Sequence, residues 1–302
     1  MSAIITEKFR KHNATQFHES FTESSASVYY LMIGKATPFT TATSGGTDVS
    51  PATPADDITT EFYTWDQATA LKNISSGDIS FAVPRRDWAN ATTYDMYESN
   101  ISTSNTTTSG ASSIYESTFF FRTTDNRVYK VIDNNSGAAY SGAEPTSEST
   151  SLFTLGGYTL KYMYTISTSD FTKFLTADFM PVATDTTVSA AATDGEIISL
   201  VITGGSGYTN GTYYAAVYGD GTSQGTSSGA IISIVVSGNA IQSFGLTAGT
   251  DTVVNTAGSG YTYGTVNLDS GYTFSDAALT SASAMGGSGG AVTVQISPKN
   301  GH

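Results

Sequence analysis

Three histidines, His12, His18 and His302, are the only imidazoles in the chain, and cysteine is absent. Thiolate nucleophiles, disulfides and Cys-ligated zinc or iron–sulfur centres are therefore excluded. His12 and His18 stand six residues apart, off-register for one helical face, and no HxH or HExxH pair occurs. A His-held metal is not expected. Ser288 lies in Gly286–Gly290 (GGSGG), which fits G-x-S-x-G literally. That motif needs a strand before it, a helix after it, a His base and an acid, so the segment reads as a flexible Gly/Ser turn. The stretches Gly205–Gly207 and Gly219–Gly221 lack G-x-G-x-x-G spacing and a P-loop lysine, and they also read as turns. Asp220, Asp251, Asp269 and Asp276 form no D-x-D-x-D cluster for calcium. No catalytic residue, cofactor site or metal site is expected, and hence no enzyme.

One dense polar–aromatic group remains, Ala82–Trp88 (AVPRRDW). Pro84, Arg85, Arg86, Asp87 and Trp88 put three charges and a large ring at one chain reversal. An Arg paired with Asp87, or stacked on Trp88, would fix a structural corner. Arg and Trp are also the side chains most enriched at binding hot spots, so the same group could anchor an interface.

The elements that must position these residues are short. Ile5, Phe9, Phe17 and Phe21 fall on a four-residue grid, which predicts a first helix over residues 5–21. The β-branched and aromatic run Val28–Ile33 predicts a core strand. Trp65, Ala68 and Leu71 are spaced three apart and predict a second helical piece over Thr64–Asn73. Ile79–Val83 reads as a strand ended by Pro84. Ser117–Arg122 and Arg127–Ile132 predict a hairpin around Thr123–Asn126, and Tyr158–Ile166 a further strand. Residues 40–56, 99–113 and 133–150 read as loops.

Composition changes near residue 185: 21 of the 30 glycines lie from Gly195 onward, and no Lys or Arg occurs between Lys173 and Lys299. Two domains are expected, 1–185 and 186–302. The second carries a repeat, Gly204–Thr212 (GGSGYTNGT) and Ala257–Thr265 (AGSGYTYGT), with a shortened echo at Asp269–Phe274. Each Gly should supply a positive-φ turn position and each Tyr should cap the edge of a small sheet. Alternatively Tyr208, Tyr213, Tyr261 and Tyr263 would be exposed and stack on sugar rings, as in a host-glycan-binding adhesin or tail-fibre-like module.

With 13 basic and 26 acidic residues the chain carries a formal charge of −13, which disfavours nucleic acid and anionic membrane as partners. Low charge with abundant Ser, Thr, Tyr and Gly predicts a mainly β fold. Residues 1–10 hold no apolar run of signal-peptide length, so a soluble chain without its own export signal is expected.

In order along the chain, Thr6–Arg10 (TEKFR), Tyr29–Pro38, Val83–Trp88 (VPRRDW), Asn126–Asp133 (NRVYKVID), Gly157–Ile166 (GYTLKYMYTI) and Phe179–Val182 (FMPV) resemble one family. It is the dimeric baseplate wedge subunit of T-even-type contractile-tailed bacteriophages, and the resemblance spans residues 1–182. It implies a layered β-sandwich with small helical loops, a homodimer, and no enzymatic activity. It also implies other wedge subunits and tail-fibre-network proteins as partners, and a place in the virion after synthesis in the host cytoplasm. The Gly-Ser-Gly-Tyr-Thr repeats resemble those in structural proteins of marine and cyanobacterial phages. Ile296–His302 (ISPKNGH) resembles a junction after which such proteins continue, so a C-terminal module that extends beyond His302 is expected.

Overall fold

The computed structural model describes residues 7–34, 47, 49–50, 68–219, 229–268, 271–275 and 278–297. The fold is mainly β, as the composition predicts, and it divides into two compact units, Met1–Phe81 and Ala82–His302. The expected domain boundary at residues 185–186 falls inside the second unit.

The first unit contains helix α1 (Glu7–Glu19) and an antiparallel pair, β1 (Tyr29–Gly34) with β2 (Ala68–Ile74). Phe21, just past the helix, is buried in a ring cluster with Phe17 and Tyr29, centroids 4.5–5.3 Å apart. Two expectations need correction. Of the helix expected over Thr64–Asn73, residues 64–67 lie outside the described residues and residues 68–73 form a strand, because pairing with β1 outweighs the three-residue spacing of the apolar side chains. Residues 29–33 do form a strand, yet it is no core strand: Tyr29 packs against Phe17 and Phe21, while Tyr30, Leu31 and Ile33 are more than half exposed.

The second unit is built on a four-stranded antiparallel sheet in the order β4 (Phe120–Arg122), β5 (Arg127–Asp133), β7 (Tyr158–Thr165), β6 (Phe153–Leu155). The expected hairpin is present: Asn126 takes the positive φ of 64° that closes it, a conformation Asn tolerates better than most residues. Both faces of β5 are covered. On one face Phe121, Tyr129, Val131, Tyr158, Leu160 and Tyr162 pack with Tyr94 and Tyr140. On the other, Ile132 joins the core of the repeat strands, alongside Tyr97 and Leu152. Strand β3 (Ala82–Pro84) pairs with β8 (Phe179–Pro181), and the short helices α2 (Thr168–Phe174) and α3 (Thr186–Ala191) frame β8.

Beyond α3, β9 (Ile197–Tyr208) pairs along its length with β17 (Gly286–Ile296). A seven-stranded sheet is centred on β10 (Gly211–Gly219) and β11 (Ile231–Ser237) and completed by β12 (Ala240–Ile241), β13 (Val253–Thr256), β14 (Gly264–Val266), β15 (Gly271–Ser275) and β16 (Ala278–Ser283). The GGSGG segment is thus strand, not a flexible turn: Ser288 sits opposite Ser206 in the β9–β17 ladder. Its glycines are needed for packing, since a Cβ at Gly287 or Gly290 would run into the Tyr208 ring.

Candidate functional site

The VPRRDW segment forms a corner that ties together three stretches distant in sequence. Pro84 ends β3, and the Arg85 N–H then donates to the Asp178 carbonyl at 2.8 Å, while the Arg85 guanidinium reaches the Thr176 carbonyl at 3.0 Å. Asp87 lies beside Arg122 in a parallel bridge: the Arg122 N–H donates to the Arg86 carbonyl at 2.7 Å, and the Trp88 N–H to the Arg122 carbonyl at 2.8 Å.

The Asp87 carboxylate is shared between two guanidinium groups. Arg85 donates from Nε and Nη2 to Oδ2 at 2.9 and 2.7 Å, and Arg122 from Nε and Nη2 to Oδ1 at 2.8 and 2.7 Å. Partial burial works to raise the Asp87 pKa, but the hydrogen bonds and charges of the two arginines outweigh it and hold the carboxyl below its ordinary range. Arg122 also donates to Asn126 Oδ1 at 2.6 Å, so the hairpin turn is fastened to the same corner.

Arg86 turns the other way. Its Nη2 donates to the Tyr115 and Glu116 carbonyls at 3.1 and 2.8 Å, and the guanidinium lies 5.5 Å from the centre of the Phe120 ring. Trp88 is half-buried and meets Tyr140 edge to face at 5.9 Å. The sequence-level pairing of an Arg with Asp87 is present, whereas stacking on Trp88 is not; Phe120 takes that place.

Two charged features were not singled out from the sequence. Asp95, only 1% exposed, accepts from the Ser109 N–H and hydroxyl, the Ser117 hydroxyl and the Thr118 N–H at 2.7–3.2 Å. Burial pushes against ionisation here, but these donors win and the Asp95 carboxyl is held below its usual range. It organises the 99–118 loop, which is otherwise low in apolar side chains.

Lys130 and Lys161 face each other in the β5–β7 register, at 6% and 8% exposure. Lys130 Nζ lies 3.6 Å from the centre of the Tyr97 ring. Burial, reinforced by the Lys161 charge, lowers the Lys130 ammonium to about 7. Register alone brings these two cations together, and the spacing of 31 residues gives no sign of it.

In the repeats, Gly205 and Gly258 take φ of 62° and 64°, and Gly207 and Gly260 take 75° and 77°, so the two copies match at these two positions; Gly211, at 156°, has no positive-φ counterpart in Gly264, and residues 204–208 are strand where 257–261 are not. Three of the four tyrosines, however, do not line a surface. Tyr208, Tyr213 and Tyr261 are buried in the main core, and of the four only Tyr263, at 59%, is exposed. Tyr208 accepts from the Gly290 N–H at 3.1 Å, and Tyr261 accepts from the Ala230 N–H at 2.9 Å. The glycines make room for rings inside the module, which is why the pattern looks like a surface motif in sequence. Asp269 and Ser270 of the third copy lie outside the described residues.

Among the described residues no group of three or more His, Asp or Glu gathers as a metal site would require. His12 and His18 lie on α1, and His302 is outside the described residues.

No curated protein and no solved structure matches the chain. The stretch that carries TEKFR, the 29–38 run, VPRRDW and NRVYKVID does have a counterpart, while the motifs at 157–166 and 179–182 lie beyond it. Residues 3–143 match the family model described as bacteriophage T4 Gp8, a baseplate wedge subunit, and the match supports a structural role in a phage baseplate wedge.

Proposed function

We propose that the chain is a non-enzymatic, dimeric bracket in the baseplate wedge of a contractile phage tail, joining the inner wedge core to the peripheral tail-fibre network. The observation that carries this reading is the VPRRDW corner, which lies inside the stretch matching Gp8. A bracket under mechanical load needs rigid ties between remote segments, and charge-assisted bonds from Arg85 and Arg122 to one carboxylate supply such a tie. Tyr115 and Phe179 are exposed on segments bonded or paired to this region and offer apolar surface to a neighbouring subunit. The formal charge of −13 keeps free subunits soluble before assembly.

On this reading residues 1–185 are the wedge core domain and 186–302 a repeat module that serves as scaffold. Burial of Tyr208, Tyr213 and Tyr261 leaves the glycan-binding alternative with one exposed ring of four. The test is sedimentation equilibrium combined with pull-down against the other wedge proteins of the same phage. A dimer that retains a wedge neighbour supports the bracket. A monomer that retains none overturns it.

A further inference from the structure

Lys161 raises a question the wedge reading does not answer. In a chain with twice as many acidic as basic residues, a lysine more than nine-tenths buried should sit against a carboxylate. Instead its cross-strand neighbour is another buried lysine, Lys130, and a like-charge pair directly opposite is destabilising. Among the described residues the Lys161 side chain has no hydrogen bond, and no carboxylate oxygen lies within 4.0 Å of it.

Lys161 lines a pocket of about 470 Å³ within the second unit, a volume in the range of ligand sites. Leu152, Phe244, Leu246 and Val253 give it apolar walls, and Ser151 and Glu196 add polar groups. Glu196 is the one acidic side chain in the lining. Burial raises its carboxyl above the ordinary range and the Lys161 charge works in the opposite sense, yet the two do not form an ion pair. The pocket therefore presents a cation without an ion-pair partner and a separate acceptor within one partly apolar lining.

We propose that this pocket binds a carboxylate carried on an apolar stem with an amide N–H next to it. The carboxylate pairs with Lys161, the N–H donates to Glu196, and the stem lies against Phe244 and Leu246. Two sources share this chemistry, the last residue of a polypeptide chain and a small N-acyl amino acid. The site is independent of the wedge assignment and of the VPRRDW corner.

The test uses the full chain and ligand-observed NMR titration with four probes: N-acetyl-leucine, N-acetyl-leucinamide, acetate, and the tripeptide acetyl-Gly-Gly-Leu. N-acetyl-leucine should bind about tenfold or more tightly than its amide, which lacks the charge, and than acetate, which lacks the stem. Lys161→Met should weaken N-acetyl-leucine by a similar factor. Leu246→Asp, a change at a 43% exposed wall residue that leaves the core alone, should do the same by placing a like charge beside the ligand. If the tripeptide binds as well as N-acetyl-leucine, the source is a chain end; if it is excluded, the source is a small acid. Either result supports the site. Equal binding of the amide, equal binding of acetate, or affinity unchanged in both variants overturns the proposal.

Discussion

Replacing Asp87 by alanine tests the corner on which the functional reading rests. The change removes four charge-assisted hydrogen bonds, two from Arg85 and two from Arg122. The consequences for the two arginines differ. The Arg85 side chain is 28% exposed, so water can replace much of what it loses. The Arg122 side chain is 9% exposed and keeps only Asn126 Oδ1 as a side-chain acceptor, so a nearly buried cation is left half-satisfied. Breaking a fully buried pair costs about 3–5 kcal/mol. The Asp87 carboxylate is itself 44% exposed, which places the expected loss at about 2–3 kcal/mol. Asp87→Asn keeps one acceptor oxygen and should cost about 1 kcal/mol. Urea denaturation followed by tryptophan fluorescence is a direct assay, because Trp88 is bonded through its backbone to Arg122. A loss below about 0.5 kcal/mol in Asp87→Ala, or equal losses in both variants, would refute the reasoning. Wild-type stability with lost binding to wedge neighbours would make the group an interface anchor instead.

Other predictions concern buried charges and the repeat. Burial beside Lys161 lowers the Lys130 ammonium to about 7 from its ordinary 10.5, so the unfolded chain binds the proton more tightly and stability should rise with pH between about 7 and 10. Lys130→Met should raise Tm at pH 6 and remove that rise; a flat wild-type profile of Tm against pH would contradict the burial argument. Tyr140 is pushed up to about 12 by burial, so this gain should reverse above pH 10, as the unfolded chain loses tyrosine protons first. Asp95→Asn places an amide among four donors and should cost about 3 kcal/mol, with the 99–118 loop becoming sensitive to protease; retained resistance would count against its organising role. In the wild type the contribution of Asp95 is present above pH 4 and lost as pH falls below it, the sense expected for a depressed carboxyl. Gly258→Ala and Gly260→Ala test the repeat, since both glycines have positive φ but only Gly258 lacks room for a Cβ. Gly260→Ala should cost about 1–2 kcal/mol by urea denaturation, and Gly258→Ala clearly more; equal costs would mean that packing adds nothing to the backbone term.

What was legible in the sequence is local. The Thr123–Asn126 hairpin is readable because an aromatic run and a β-branched run flank residues that tolerate a positive φ, and the repeat because its glycines recur at fixed spacing. The apolar spacing at residues 68–74 fits either period, and only pairing with β1 makes the segment a strand. Long-range partners were out of reach: Arg122 lies 35 residues from Asp87, and Lys161 faces Lys130 only once the β5–β7 register is set. Glycine-rich segments signal turns, so the sequence points to Tyr208 and Tyr261 as edge or surface rings. Here the glycines make space for buried rings instead.

The most direct test of the central claim is to locate the protein in the virion by cryo-electron microscopy of the phage particle. The account predicts density for this chain in the baseplate, inside the ring of fibres and in paired copies within each wedge. Density at the fibre tips, or confined to the outer surface of the particle, would contradict it.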